Sequence, residues 1–174
     1  GRGGAWECPN ARKAAENIKR LISCNDSLDV IFTEFRASER PVGAWNDYNR
    51  EYSSINNDPK ANEMMDFFGK ELKKYPLYRK STYSSFSVPE VREAAKKAGR
   101  VFLSGVVAEC CVLFTAASLI DEGIKVIYLK DAVAGINDDT EKAVETVFAG
   151  LAPIQIILGT TEDYIERSGI LWEG

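Results

Sequence analysis

The chain contains no histidine, and that absence removes more chemistry than any other feature of its composition. Ser-His-Asp and Cys-His nucleophile pairs, His-ligated zinc and imidazole acid-base steps have no residue to work with. Any proton shuttle must be a carboxylate, Lys or Tyr. Cysteine is scarce as well. Cys8, Cys24, Cys110 and Cys111 lack the spacing of a disulfide framework, the adjacent pair cannot readily bridge to itself, and no C-x-x-C spacing marks a thiolate metal site. Free thiols in a reducing cytosol are expected, with no metal and no other cofactor. No apolar run approaches the ~20 residues of a membrane-spanning helix, and the N-terminal stretch lacks the pattern of a secretory signal. An excess of either charge is missing too: 22 Lys+Arg face 26 Asp+Glu, a net −4, with the basic residues scattered. A soluble, cytoplasmic protein is expected, with neither nucleic acid nor membrane as partner.

What is present suits one domain, residues 1–174, since 174 residues at 45% hydrophobic content can bury a real core. Apolar, β-branched runs at 28–35, 101–107, 125–129 and 153–158 read as strands covered on both faces, with a shorter strand at 77–80. Helical periodicity occupies 11–23, 60–74, 89–98, 111–122 and 139–150. Gly99 and Gly123 close helices just before the next strand, and Asp138, Asp139 and Thr140 offer N-caps for the last of them. The alternation predicts an α/β fold, a three-layer α-β-α sandwich around a parallel, Rossmann-like sheet. Residues 36–58 form a long polar stretch with Pro41, Gly43, Trp45, Tyr48 and Tyr52, either an insertion packed down by its aromatics or a substrate lid.

In such sheets ligands bind outside the carboxyl ends of the strands, which brings forward Glu34, Arg36, residues 80–86 and 106–111, and Asp131. Cys111 falls near the first turn of a helix, where unpaired N–H groups and the helix dipole favour an anion. A thiol so placed beside a cation can ionise below its free pKa of ~8.5, and the same N–H groups can hold an oxyanion. The other reading of Cys111 is a buried structural thiol, which is the reading given to Cys110. Asp131 reads as a cap for the next loop rather than a catalytic acid.

Three segments together carry a resemblance: Lys80-Ser81-Thr82-Tyr83-Ser84-Ser85-Phe86, the run Gly105-Val106-Val107-Ala108-Glu109-Cys110-Cys111-Val112, and Asp131-Ala132-Val133-Ala134-Gly135. On them, and over most of its length, the sequence resembles the isochorismatase-like cysteine hydrolase superfamily of nicotinamidases, N-carbamoylsarcosine amidases and isochorismatases. The resemblance implies that Cys111 is the nucleophile and Lys80 its electrostatic partner. It implies a cis peptide between Val106 and Val107, with the N–H groups of Val107 and Cys111 as the oxyanion hole. Tyr83 and Phe86 are candidate pocket residues, with packing as the alternative role for each, and Glu34, Arg36 and Trp45 join them as pocket candidates. The region 33–39, Thr33-Glu34-Phe35-Arg36-Ala37-Ser38-Glu39, lacks the Asp and two His of the metal-binding nicotinamidases, so no metal site is expected. Arg36 or Arg40 then offers a ligand for a substrate carboxylate, or a surface salt bridge.

The resemblance also implies a central first strand ending in an Asp general base. Gly3-Gly4-Ala5-Trp6 with Pro9 resembles the loop that follows that strand, so a gap is expected between the strand carrying Thr33 and the strand leading to Cys111. The acid is then expected from a segment outside this sequence or from a second polypeptide; Glu34 and Glu109 lie near strand ends but not on that strand. The function implied is hydrolysis of a C–N bond in a small amide or carbamoyl compound through a thioester. A vinyl-ether hydrolase and a noncatalytic binding subunit are the alternatives. Family analogy implies a homo-oligomer, and the apolar run at 169–172 is expected to pack on the body or on a neighbouring subunit.

Overall fold

The computed structural model describes residues 7–58 and 66–166; the expectations for residues 3–6, 60–65 and 169–172 lie outside the described residues. The fold is α/β. Helix α1 (Ala11–Cys24) is followed by strand β1 (Phe32–Phe35), the short helices α2 (Trp45–Glu51) and α3 (Ser53–Asn56), and strand β2 (Leu77–Lys80). Helix α4 (Pro89–Ala98), strand β3 (Arg100–Val106), a wide helical turn (Ala108–Val112), helix α5 (Leu113–Asp121) and strand β4 (Lys125–Ala134) come next. Helix α6 (Asp138–Ala149), strand β5 (Ile156–Gly159) and helix α7 (Thr161–Glu166) complete the described elements.

Every strand pairing is parallel, in two groups: β1 with β2, and β3–β4–β5 with β4 central. Among the described residues no pairing joins β1 to β3.

Strand β4 shows why the alternation reads as a sandwich. Val126 and Tyr128 point to one face, against Ala116 and Leu119 of α5 and Val144 and Phe148 of α6. Ile127 and Leu129 point to the other, against Leu21 and Ile18 of α1 and Tyr164 of α7. A two-residue period with apolar side chains on both faces buries the first half of the strand; Val126, Ile127 and Leu129 are all 0% exposed.

Several boundaries move. The strand expected over 28–35 pairs only from Phe32, because Leu28 N–H is taken by Asn25 O in a turn and β2 offers four partners. Strand β4 runs to Ala134 rather than 129: after a register shift between Leu103 and Gly105, β3 pairs Gly105 with Val133 and Val106 with Ala134. Strand β5 begins at Ile156 because Gln155 N–H bonds back to Leu151 O. The helix expected to reach residue 74 gives way, beyond Gly69, to a single 3-10 turn, Glu71–Lys73. The N-cap of helix α6 is Asn137, not Asp138, Asp139 or Thr140: its side chain accepts from Thr140 N–H at 2.9 Å, and the Thr140 hydroxyl accepts the Asn137 N–H in return, completing a capping box. The 36–58 stretch is not a plain loop: it contains α2 and α3.

Candidate active site

The site forms where β2 and β3 end. Lys80 is the last residue of β2 and is 6% exposed. Its ammonium donates to Thr82 O at 3.0 Å, Tyr83 O at 2.5 Å and Cys111 Sγ at 3.3 Å, which gives each of its three N–H bonds an acceptor. Among the described residues Lys80 forms no ion pair with a carboxylate. The structure therefore brings Lys80 and Cys111 together, with no acid on Lys80.

Cys111 is presented by an unusual turn. Gly105 at φ +115° adopts a conformation that side chains disfavour, and the peptide between Val106 and Val107 is cis. The chain then enters a helical turn one residue wider than an α-helix, with Val112 N–H donating to Val107 O at 3.1 Å. Such i→i−5 turns recur at functional sites. Thr115 Oγ1, one turn on, donates to Cys111 O at 2.6 Å and accepts Ser85 N–H at 2.9 Å, which ties the cysteine turn to the segment after Lys80. Ser84 and Ser118 hydroxyls meet at 2.9 Å and Thr33 and Ser85 hydroxyls at 2.8 Å, extending the same seam.

Aromatic rings crowd one side of this pair. Trp45 and Tyr48 of α2 lie 5.0 and 6.0 Å from the Tyr83 ring, and Phe114 lies 5.3 Å from it. Phe35 at the end of β1 meets Trp45 at 6.2 Å and has Lys80 Nζ 5.9 Å from its ring centre. The polar stretch at 36–58 is thus anchored by its aromatics beside the site. An open cavity of about 430 Å³ adjoins the cluster, lined by Lys80, Ser81, Thr82, Ser87 and Glu90 among others; its lining does not reach Cys111.

The remaining candidates are placed elsewhere. Glu34 is 8% exposed and its carboxylate is held by Arg36 Nη2 at 2.8 Å and Arg79 Nε at 3.5 Å, so Glu34 and Arg36 answer each other at the end of β1. Phe86 is a core residue under the Arg92 guanidinium. Asp131 acts as a cap: its carboxylate accepts Thr161 N–H at 2.7 Å and Thr161 Oγ1 at 3.0 Å at the start of α7. Glu109 accepts Ile136 N–H at 3.2 Å through one oxygen, while its other oxygen is buried without a partner.

None of Cys8, Cys24, Cys110 and Cys111 is in a disulfide. Burial, then the Glu109 and Glu141 carboxylates, push the Cys8 thiol up to about 12. Burial and Glu109 also raise Cys110, which the sequence offered no reason to distinguish from a packed structural thiol. Among the described residues no cluster of His, Cys, Asp or Glu could hold a metal ion, and no helix is long and apolar enough to cross a membrane.

Comparison with known proteins adds four findings. A family model described as the Isochorismatase domain matches residues 2–162. The chain is 31% identical over 94 residues to an uncharacterised isochorismatase family protein of Bacillus subtilis, covering 46% of this chain and 50% of that protein, so the match spans about half the relative's length. Its fold is similar to that of a cysteine hydrolase from Pseudomonas syringae pv. phaseolicola, with a TM-score of 0.73, 19% identity and coverage of 95% of this chain and 84% of that one. An isochorismatase-like hydrolase from Alkaliphilus metalliredigens gives 0.67, 19%, 97% and 91%.

Proposed function

The chain belongs to the isochorismatase family, and from that premise we propose that it is a hydrolase cleaving a C–N bond of a small amide or carbamoyl compound through a thioester on Cys111. The reading rests above all on the buried Lys80 ammonium 3.3 Å from Cys111 Sγ. Cys111 sulfur attacks the carbonyl carbon, and the bond to nitrogen breaks as the tetrahedral intermediate collapses. Ammonia or an amine leaves with the proton that the thiol gave up. Water then attacks the thioester, releasing the acid and returning the proton to sulfur. Lys80 stabilises the negative charge that passes from sulfur to oxygen, and the N–H groups of Val107 and Cys111 are the donors assigned to the oxyanion.

The proton carrier is a carboxylate on a strand that fills the space between β1 and β3, contributed by a segment or polypeptide beyond the described residues. A homo-oligomer is part of the same proposal. The pairing of Arg36 with Glu34 favours uncharged amides over substrates that need a free guanidinium for a carboxylate.

The test is ammonia release from a panel of small amides, beside alkylation of Cys111 by iodoacetamide near neutral pH. Cys111→Ala is expected to abolish release, and Lys80→Met to lower it by about a hundredfold, the scale of one lost charge-stabilising donor. Turnover that survives in Cys111→Ala would remove the thioester and point to ether hydrolysis.

A further inference from the structure

The wide turn that presents Cys111 is closed by two i→i−5 backbone bonds, Val112 N–H to Val107 O and Leu113 N–H to Ala108 O, and neither uses the peptide groups of Cys111 itself. The Cys111 carbonyl is held by a side chain: Thr115 Oγ1 donates to it at 2.6 Å. A helical threonine often bonds back to the carbonyl four residues before it, and that contact alone would be a local matter. Here the same oxygen also accepts the Ser85 N–H at 2.9 Å, from 30 positions away in the chain. Thr115 is 3% exposed, so its hydroxyl donates once and accepts once with little access for water.

Ser85 belongs to the loop that leaves Lys80, and Lys80 is tied to that loop as well. Its ammonium donates to Thr82 O at 3.0 Å and Tyr83 O at 2.5 Å, besides Cys111 Sγ at 3.3 Å. The contacts form a closed circuit. It runs from sulfur to ammonium, from ammonium to the carbonyls of residues 82 and 83, along the chain to the Ser85 amide, and through Thr115 back to the Cys111 carbonyl. Among the described residues no ladder joins β2, which ends in Lys80, to β3, which leads to Cys111. The separation of Lys80 Nζ from Cys111 Sγ is therefore set across this circuit, and Thr115 supplies the link that closes it. Ser118 holds the same loop from outside the circuit, its hydroxyl meeting Ser84 Oγ at 2.9 Å and donating to Phe114 O at 2.8 Å.

We propose that Thr115 is a positioning residue for the nucleophile: its hydroxyl, bound to Cys111 O and Ser85 N–H at once, fixes the distance between the Lys80 ammonium and the Cys111 sulfur. The inference rests on the assignment of Cys111 as nucleophile.

Alkylation of Cys111 by neutral iodoacetamide and by anionic iodoacetate, resolved from Cys110 by fragment mass spectrometry, tests it without a known substrate. An ammonium beside the sulfur favours the anionic reagent, so the iodoacetate-to-iodoacetamide rate ratio reads the nearness of Lys80 to Cys111, and Lys80→Met sets its floor. Thr115→Val keeps the shape and removes both hydrogen bonds; Thr115→Ser keeps both; Ser118→Ala loosens the loop from outside. Thr115→Val is expected to slow iodoacetamide at pH 7 by about tenfold, roughly the worth of one hydrogen bond, and to bring the ratio down towards that of Lys80→Met. Thr115→Ser and Ser118→Ala are expected to stay within about threefold of the parent rate with its ratio unchanged, since the Thr115→Ser hydroxyl still donates and accepts. Should Thr115→Val fail to fold, Thr115→Ala is read in its place. A parent-like rate and ratio in the hydroxyl-free variant, or equal slowing by Thr115→Ser or by Ser118→Ala, overturns the proposal. So does a lowered melting temperature with an unchanged ratio, or a parent ratio no higher than that of Lys80→Met. A parent protein whose Cys111 resists both reagents removes the nucleophile and this inference together, whereas a reactive Cys111 indifferent to Thr115 removes this inference alone.

Discussion

The β3–β4–β5 side of the molecule and the β1–β2 side are built to different standards. Strand β4 lies between helices on both faces and has five consecutive side chains, Val126 to Lys130, of which the first four are at most 1% exposed. The pair β1–β2 is four residues long and leans on mixed devices: the Phe32–Phe68 ring contact at 5.3 Å, the Thr33–Ser85 hydroxyl pair, and Glu34 between two arginines. The candidate site takes Cys111 from the first side and Lys80 from the second. Its geometry is therefore only as firm as the seam between them, and that seam is made by residues 81–87 meeting the cysteine turn and α5.

The contrast can be broken, or sharpened, by experiment. Leu129→Ala, at a position with 0% exposure, should lower stability by about 2–5 kcal/mol in chemical denaturation; a loss under about 1 kcal/mol would remove the distinction between the sides. Amide hydrogen exchange should be slower in β4 than in β1 by about a hundredfold or more, and equal protection would show that the two groups open as one unit. On the seam, Thr115→Val leaves Ser85 N–H without its acceptor and should cost about 1–3 kcal/mol while also slowing Cys111 alkylation; lost stability with parent-like alkylation would show that this tie does not position the site. Glu34→Gln should cost no more than about 1 kcal/mol, because Arg36 and Arg79 are 44% and 72% exposed and water screens the pair.

A pH titration supplies the final arm. Cys8 keeps its proton in the folded chain up to about 12 against an ordinary thiol value of 9.0, so between these values the unfolded chain binds fewer protons than the folded one. Stability from this group is present below pH 9 and is lost as pH rises towards 12. Cys8→Ala should flatten that alkaline decline in melting temperature, and an unchanged slope would place the titrating group elsewhere.

Much of this was legible in the sequence because the relevant physics is local. Continuous apolar runs located the strands, Pro89 and Gly99 bracketed α4 at its observed limits, and Cys111 could be placed at the start of a helix after a strand, whereas the role expected of Lys80 came from family resemblance. The failures are non-local. Nothing near Glu34 reveals that its strand partner in the ladder is Arg79, 45 positions on. The segment Trp45–Glu51 has no apolar period, and its helix is held by rings from β1 and from the loop after β2. A wide turn at 108–112 has no signature in Ala-Glu-Cys-Cys-Val, since the extra residue is set by where Val107 O meets an N–H. That no pairing joins β1 to β3 among the described residues was foreshadowed only by family resemblance.

One feature of the loop after β4 bears on how such a protein can diversify. A Cβ built on Gly135 would stand 2.7 Å from Glu109 Oε2 and 2.9 Å from Thr140 Oγ1, and Glu141 already holds the Gly135 N–H at 2.9 Å. A side chain at position 135 would require both the Glu109 carboxylate and the Thr140 hydroxyl of the capping box to shift. Helix α2, by contrast, has no buried residue, and Gly43 before it has space for a Cβ although its φ of +57° strains any other residue there. Descendants of this sequence that acquire new substrate preferences should carry their substitutions around Trp45 and Tyr48, and keep Gly135 as it is.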